Sequence, residues 1–159
     1  MARYFLGIEI ARSSTGTFLN QRKYILDILI DAGLTAAKPA KFPLPQGLKL
    51  STDVGDLLPN PEVFRRIVGR LLYLTLTTPD ISYVVQHLSQ FLQAPRQPHY
   101  HAALHVLRYL KGTLHTGLFY PVVSDLRVSA YCDVDWGACQ MSATSLTGFC
   151  VFLGSSLIS

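Results

Sequence analysis

Two acids in Tyr131-Cys132-Asp133-Val134-Asp135-Trp136 stand two apart in a stretch of period-two patterning, so both carboxylates leave a strand on the same side. Such a pair could begin a divalent-metal site. Hard cations such as magnesium take several oxygen ligands, and two-metal phosphoryl chemistry needs more carboxylates to hold ions roughly 3.5–4 Å apart. Only Asp125 lies nearby in sequence. On the residues alone, acids at a strand end are better read as turn formers.

A second candidate is basic: Arg65, Arg66, Arg70, Arg96, Arg108 and Lys111, with His101 and His105 between them. Guanidinium groups spaced along helices suit a phosphate backbone. An ordinary solvated face explains them equally well, since six basic groups over three helices is not dense. His101 and His105 stand four apart, but no third ligand accompanies them, so they read as surface or capping residues. The third candidate is Tyr4-Phe5-Leu6-Gly7-Ile8-Glu9-Ile10, where a glycine inside a strand allows another backbone to approach; a plain strand is the simpler reading. No nucleophile elbow, phosphate loop or dinucleotide fingerprint occurs.

Composition sets the frame. With 159 residues, 49% apolar and 15% charged, and a mean hydropathy of +0.27, the chain must bury a core; a disordered chain is excluded and so is a whole polymerase. Fourteen Lys and Arg against ten Asp and Glu permit a nucleic-acid partner without requiring one. The surplus is local: residues 61–112 carry six basic and two acidic groups, residues 113–159 one basic and three acidic. Glu9 interrupts the start too early for a secretory apolar region, and Arg70 breaks the longest apolar stretch, Ile67 to Leu76. The expectation is an intracellular chain with neither signal peptide nor membrane span. Cys132, Cys139 and Cys150 lack zinc-site spacing and read as reduced, structural thiols.

The elements that would position these groups follow from patterning. Residues 4–10 alternate and return at Thr17-Phe18-Leu19, a β-hairpin; Asn20 is placed to cap a helix bearing Tyr24, Ile25, Ile28 and Leu29, which ends at Gly33. Five prolines from Lys38 to Pro61 predict an ordered connector, with Leu44, Leu48 and Leu50 against a surface. Three helices follow. Phe64, Ile67, Val68, Leu71 and Leu72 stripe the first; Thr78-Pro79-Asp80 opens the second, which carries Ile81, Val84, Val85, Leu88, Phe91 and Leu92. The third runs from Pro98 to Gly112 with Tyr100, Ala103, Leu104, Leu107 and Leu110 inward. Strands are then expected at 117–120, 126–132, 148–153 and 156–158. The fold class is α+β.

Several stretches together resemble the Pol polyprotein of copia-type retrotransposons over essentially the whole chain. They are Tyr4-Phe5-Leu6-Gly7-Ile8-Glu9-Ile10, Lys23-Tyr24-Ile25, the run from Phe64 to Leu74, Pro79-Asp80-Ile81-Ser82-Tyr83, the run from Val106 to Thr113, Tyr131 to Trp136 and Leu146 to Val151. The resemblance implies four segments: 1–35, the end of a reverse-transcriptase palm with a primer-gripping hairpin and first thumb helix; 36–60, a connector; 61–113, a thumb and connection region; and 114–159, the start of an RNase H sheet. It implies primer contact through Phe5, Leu6 and Gly7, duplex contact through Arg66, Arg70, Arg108 and Lys111, and for Asp133 the place of the first metal-binding aspartate of RNase H. Magnesium would serve the parent enzyme, with none expected to bind tightly here. The rest of that site would lie beyond Ser159 and the polymerase aspartates before Met1; no Tyr-x-Asp-Asp occurs. Thr78 and Ala143-Thr144 replace basic residues usual in the family, removing possible phosphate contacts.

The resulting expectation is a polyprotein fragment whose parent activity is RNA-directed DNA synthesis and RNA-strand cleavage, inactive alone. Its partners would be the remainder of the polyprotein and, weakly and without sequence preference, an RNA–DNA or DNA duplex; no membrane is expected. The alternatives are a stand-alone nucleic-acid-binding module and a non-functional translated relic.

Overall fold

The chain enters as a strand pair folded on a two-residue turn. In the computed structural model, which describes residues 3–135 and 146–159, β1 (Tyr4–Phe5) and β2 (Ile8–Arg12) are antiparallel, with Tyr4 opposite Glu9 and Phe5 opposite Ile8. The single strand expected over 4–10 is therefore broken at Leu6-Gly7. The φ angles of +48° at Leu6 and +82° at Gly7 explain why: two successive left-handed residues make a type I′ turn, whose twist matches the flanking strands. β2 continues into β3 (Gly16–Asn20), giving the longer hairpin that alternation predicts.

The strand β4 (Leu118–Pro121) pairs with β3, with Leu19 opposite Leu118, and completes a four-stranded sheet in the order β1-β2-β3-β4. Expected with the C-terminal strands, it joins the N-terminal sheet instead, a long-range pairing that alternation does not encode. The remaining strands β5 (Val128–Asp135), β6 (Leu146–Leu153) and β7 (Ser156–Leu157) form a separate antiparallel sheet. Tyr120 on β4 donates its hydroxyl to the Leu157 carbonyl on β7 at 3.2 Å, linking the two sheets.

Between them lie four helices. α1 (Arg22–Asp31) buries Ile25, Ile28 and Leu29 and stops at Gly33, whose φ of +66° lets the N–H groups of Gly33 and Leu34 reach the carbonyls of Ile30 and Leu29. α2 (Pro61–Leu74) begins where the Asn60 side chain accepts the Glu62 N–H. It buries Phe64, Ile67, Val68, Leu71 and Leu74; Leu72, expected inside, is exposed, and Leu74 takes its place. A 3₁₀ turn (Pro79–Ile81) leads into α3 (Ser82–Ser89), and Thr78 precedes it without a side-chain capping bond. α4 (Gln97–Gly112) buries Ala102, Ala103, Val106, Leu107 and Leu110, while Tyr100 and Leu104 pack at its margin.

Each fully buried aliphatic side chain contributes on the order of 1.5–3 kcal/mol, against about 0–1 kcal/mol for an exposed ion pair, so this shared helical core holds the fold and the charges only orient it. The α+β class is as expected. Leu50 of the connector is buried and Leu44 packs at the core edge, whereas Leu48 is exposed.

Candidate nucleic-acid interface

Phe5, Leu6 and Gly7 are the tip of the first hairpin. Leu6 is 71% exposed and Phe5 60%, so the tip presents apolar surface to water. Two anchors fix it. At its base, the Glu9 carboxylate on β2 accepts the Lys23 N–H at 2.8 Å and caps α1, the role expected of Asn20. At its turn, the Tyr73 hydroxyl on α2 donates to the Leu6 carbonyl, and a side chain at Gly7 would meet the Tyr73 ring at 3.4 Å. The Tyr73 ring meets Tyr24 of α1 edge-on at 5.3 Å, and the Lys23 ammonium lies 5.8 Å from the Tyr4 ring centre.

The basic residues of 61–112 do not form one free stripe. Arg65 donates to the carbonyls of Leu92 and Gln93 and pairs with Glu62. Arg96 donates to the connector carbonyls of Thr52 and Gly55. Lys111 donates to those of Thr35 and Ala37, at 2.6 and 2.8 Å. Arg108 donates to His105, whose opposite ring nitrogen donates to the Phe42 carbonyl at 3.1 Å. Arg70 pairs with Asp31 at 2.6 Å, tying α2 to the end of α1. Arg66 is exposed, and among the described residues no hydrogen bond or ion pair holds it. His101 is exposed beside these struts.

His99 carried no signal of its own in the apolar pattern, yet its ring is fully buried. Its Nδ1 accepts the Arg96 N–H at 2.9 Å, its Nε2 therefore carries the proton and donates to the Ser51 carbonyl at 3.0 Å, and it stacks on Phe91 at 3.9 Å. Burial pushes its pKa below the usual histidine value, with the Arg96 charge acting in the same direction; burial also lowers those of His87 and His105. The three-residue spacing from Arg96 to His99, at a helix opened by Pro98, was the available clue. Tyr109 is half-buried and hydrogen-bonded to Asp80, and this partial burial, with the Asp80 bond and charge, pushes its pKa up to about 12.

Asp133 lies on β5 opposite Gly148, exposed, at a cleft of about 1010 Å³. Leu76, Pro79 and Tyr83 line one wall, and Phe149, Phe152 and Ile158 the other. None of Phe5, Leu6, Gly7, Arg66, Arg70, Arg108 or Lys111 lines it. The Asp135 side chain, Trp136, Cys139 and Ala143-Thr144 lie outside the described residues. Among the described residues no three His, Cys, Asp or Glu side chains converge. No described helix is long and apolar enough to cross a membrane.

Along nearly all of its length the chain matches known proteins. The uncharacterized mitochondrial protein AtMg00810 of Arabidopsis thaliana is 47% identical over 157 residues, 98% of this chain. The retrovirus-related Pol polyprotein from transposon RE1 of the same plant is 44% identical over 156 residues, also 98% of this chain. This chain belongs to the copia-type retrotransposon Pol polyprotein family. A second uncharacterized mitochondrial protein of Arabidopsis thaliana, AtMg00240, is 47% identical over 79 residues, 50% of this chain and 71% of its own length. The chain spans 65% of the first relative and 11% of the RE1 polyprotein. No family model matches it. No solved structure matches it.

Proposed function

We propose that this stretch of a copia-type Pol polyprotein is a nucleic-acid-holding platform, in which the Leu6-Gly7 tip and Arg66 contact an RNA–DNA or DNA duplex and the helical core fixes their spacing. The observation that carries this reading is Leu6 itself. A non-glycine residue in the left-handed region costs roughly 1–2 kcal/mol, and here the strained residue also leaves its apolar side chain 71% exposed. Neither feature stabilises this chain, whereas both suit a tip that packs against something outside it.

The parent reaction in this reading is RNA-directed DNA synthesis with cleavage of the RNA strand, and this chain supplies binding to it and no chemistry. The sequence has no Tyr-x-Asp-Asp, and Asp133 stands without a converging set of described carboxylates. Arg66 is the leading phosphate contact, and Arg70 follows one turn on, partly neutralised by Asp31. Arg108 and Lys111, engaged with His105 and the connector, act as struts more than as phosphate ligands.

The test is fluorescence anisotropy with an RNA–DNA hybrid across a salt series. Affinity should fall with salt, and Arg66→Ala should flatten the log–log slope by about one unit. Binding indifferent to salt, or unaltered by Arg66→Ala, would favour the relic reading.

A further inference from the structure

We propose that Tyr73 is a positioning residue for nucleic acid: its hydroxyl and ring hold the Leu6-Gly7 turn at the angle from which the tip meets its ligand. This rests on the reading of the tip as a contact surface.

The sheet holds the base of the tip hairpin but not its turn. β1 contributes only two residues at the sheet edge, and the pairing of β2 with β3 begins at Glu9, so Leu6 and Gly7 project beyond the paired strands. Contacts from outside the strands therefore orient the turn. Tyr73 supplies two restraints at one place: the hydroxyl donates to the Leu6 carbonyl, and the ring lies where a Gly7 side chain would fall. The restraint is transmitted to the core, because α2 buries Leu71 and Leu74 on either side of Tyr73 in sequence, and Tyr73 packs edge-on against Tyr24 of α1. The Arg70–Asp31 pair closes the same α1–α2 contact, one turn away along α2 and about two along α1. Glu9 meanwhile holds the hairpin base to α1. Tip angle is thus set against the helix that also carries Arg66, so that the apolar tip and the phosphate contact keep one spacing.

Tyr73→Phe removes the hydroxyl and keeps the ring. It should weaken hybrid binding by roughly three- to tenfold, the range that one net hydrogen bond spans, while the salt slope stays unchanged and the urea unfolding midpoint falls only slightly. The discriminating readout is a double-mutant cycle with Leu6→Gly. Once the tip side chain is gone its angle no longer matters, so Tyr73→Phe should lose its effect in that background, whereas a merely structural role would persist there. Wild-type binding that Tyr73→Phe leaves unaltered, or a loss undiminished by Leu6→Gly, overturns the proposal and leaves the platform reading standing. A wild-type chain that binds no hybrid at any salt concentration overturns both.

Discussion

The Glu9 carboxylate, pointing from a strand, accepts the backbone N–H of Lys23 at 2.8 Å and so caps a helix that begins thirteen residues later. Gln21, at the cap position itself, makes no side-chain capping bond. Glu9→Ala should therefore cost about 1 kcal/mol in urea unfolding, from the lost cap and the lost charge at the positive helix end. Asn20→Ala should cost less than Glu9→Ala, and the reverse order would contradict this assignment.

His99 gives the stability a pH dependence of definite sign. Its folded-state pKa lies below the unfolded value of about 6.5, because burial and Arg96 disfavour the imidazolium. The unfolded state thus binds more protons, and this stability is fully present above pH 6.5 and is lost as pH falls below it toward the folded pKa. His87 and His105 act with the same sign. Protonating Nδ1 also turns the Arg96 N–H from a partner into a clash of donors. His99→Gln should destabilise the protein by about 2 kcal/mol and reduce, without abolishing, the loss of stability between pH 6.5 and pH 5, as followed by thermal unfolding across that range.

Lys111 separates a strut from a phosphate ligand. It spends its ammonium on the carbonyls of Thr35 and Ala37, holding the start of the connector to α4. Lys111→Ala should lower stability by about 1–2 kcal/mol and leave the salt slope of hybrid binding unchanged. A flatter slope with unchanged stability would return Lys111 to the interface.

What could be read from sequence was what is written locally. Gly33, Pro79, Pro98 and Gly112 marked helix ends because each acts through its own backbone, and the apolar stripes of α2, α3 and α4 followed from helical period. The partners of charged groups were not legible. Lys111 and Thr35 are 76 positions apart, and Arg96 and Thr52 are 44; a side chain's type does not tell which carbonyl folding brings to it. The same holds for β4, whose alternation specifies a strand and not its neighbour. At Gly7 it is the Tyr73 ring and not another backbone that lies close, and the Leu-Gly turn is hidden by the apolar run around it. His99 was hidden because a buried imidazole leaves no periodic mark.

Leu6→Gly is the most direct measure of whether Leu6 serves an outside partner at the expense of this chain's own stability. Glycine occupies the left-handed region freely, and the side chain removed is mostly in water, so relief of strain should raise stability by about 0.5–1 kcal/mol in urea unfolding. Affinity for an RNA–DNA hybrid, measured on the same sample, should fall. Opposite signs for the two changes are the predicted result; a variant that is more stable and binds the hybrid as well as the wild type, or one that is less stable, would contradict it.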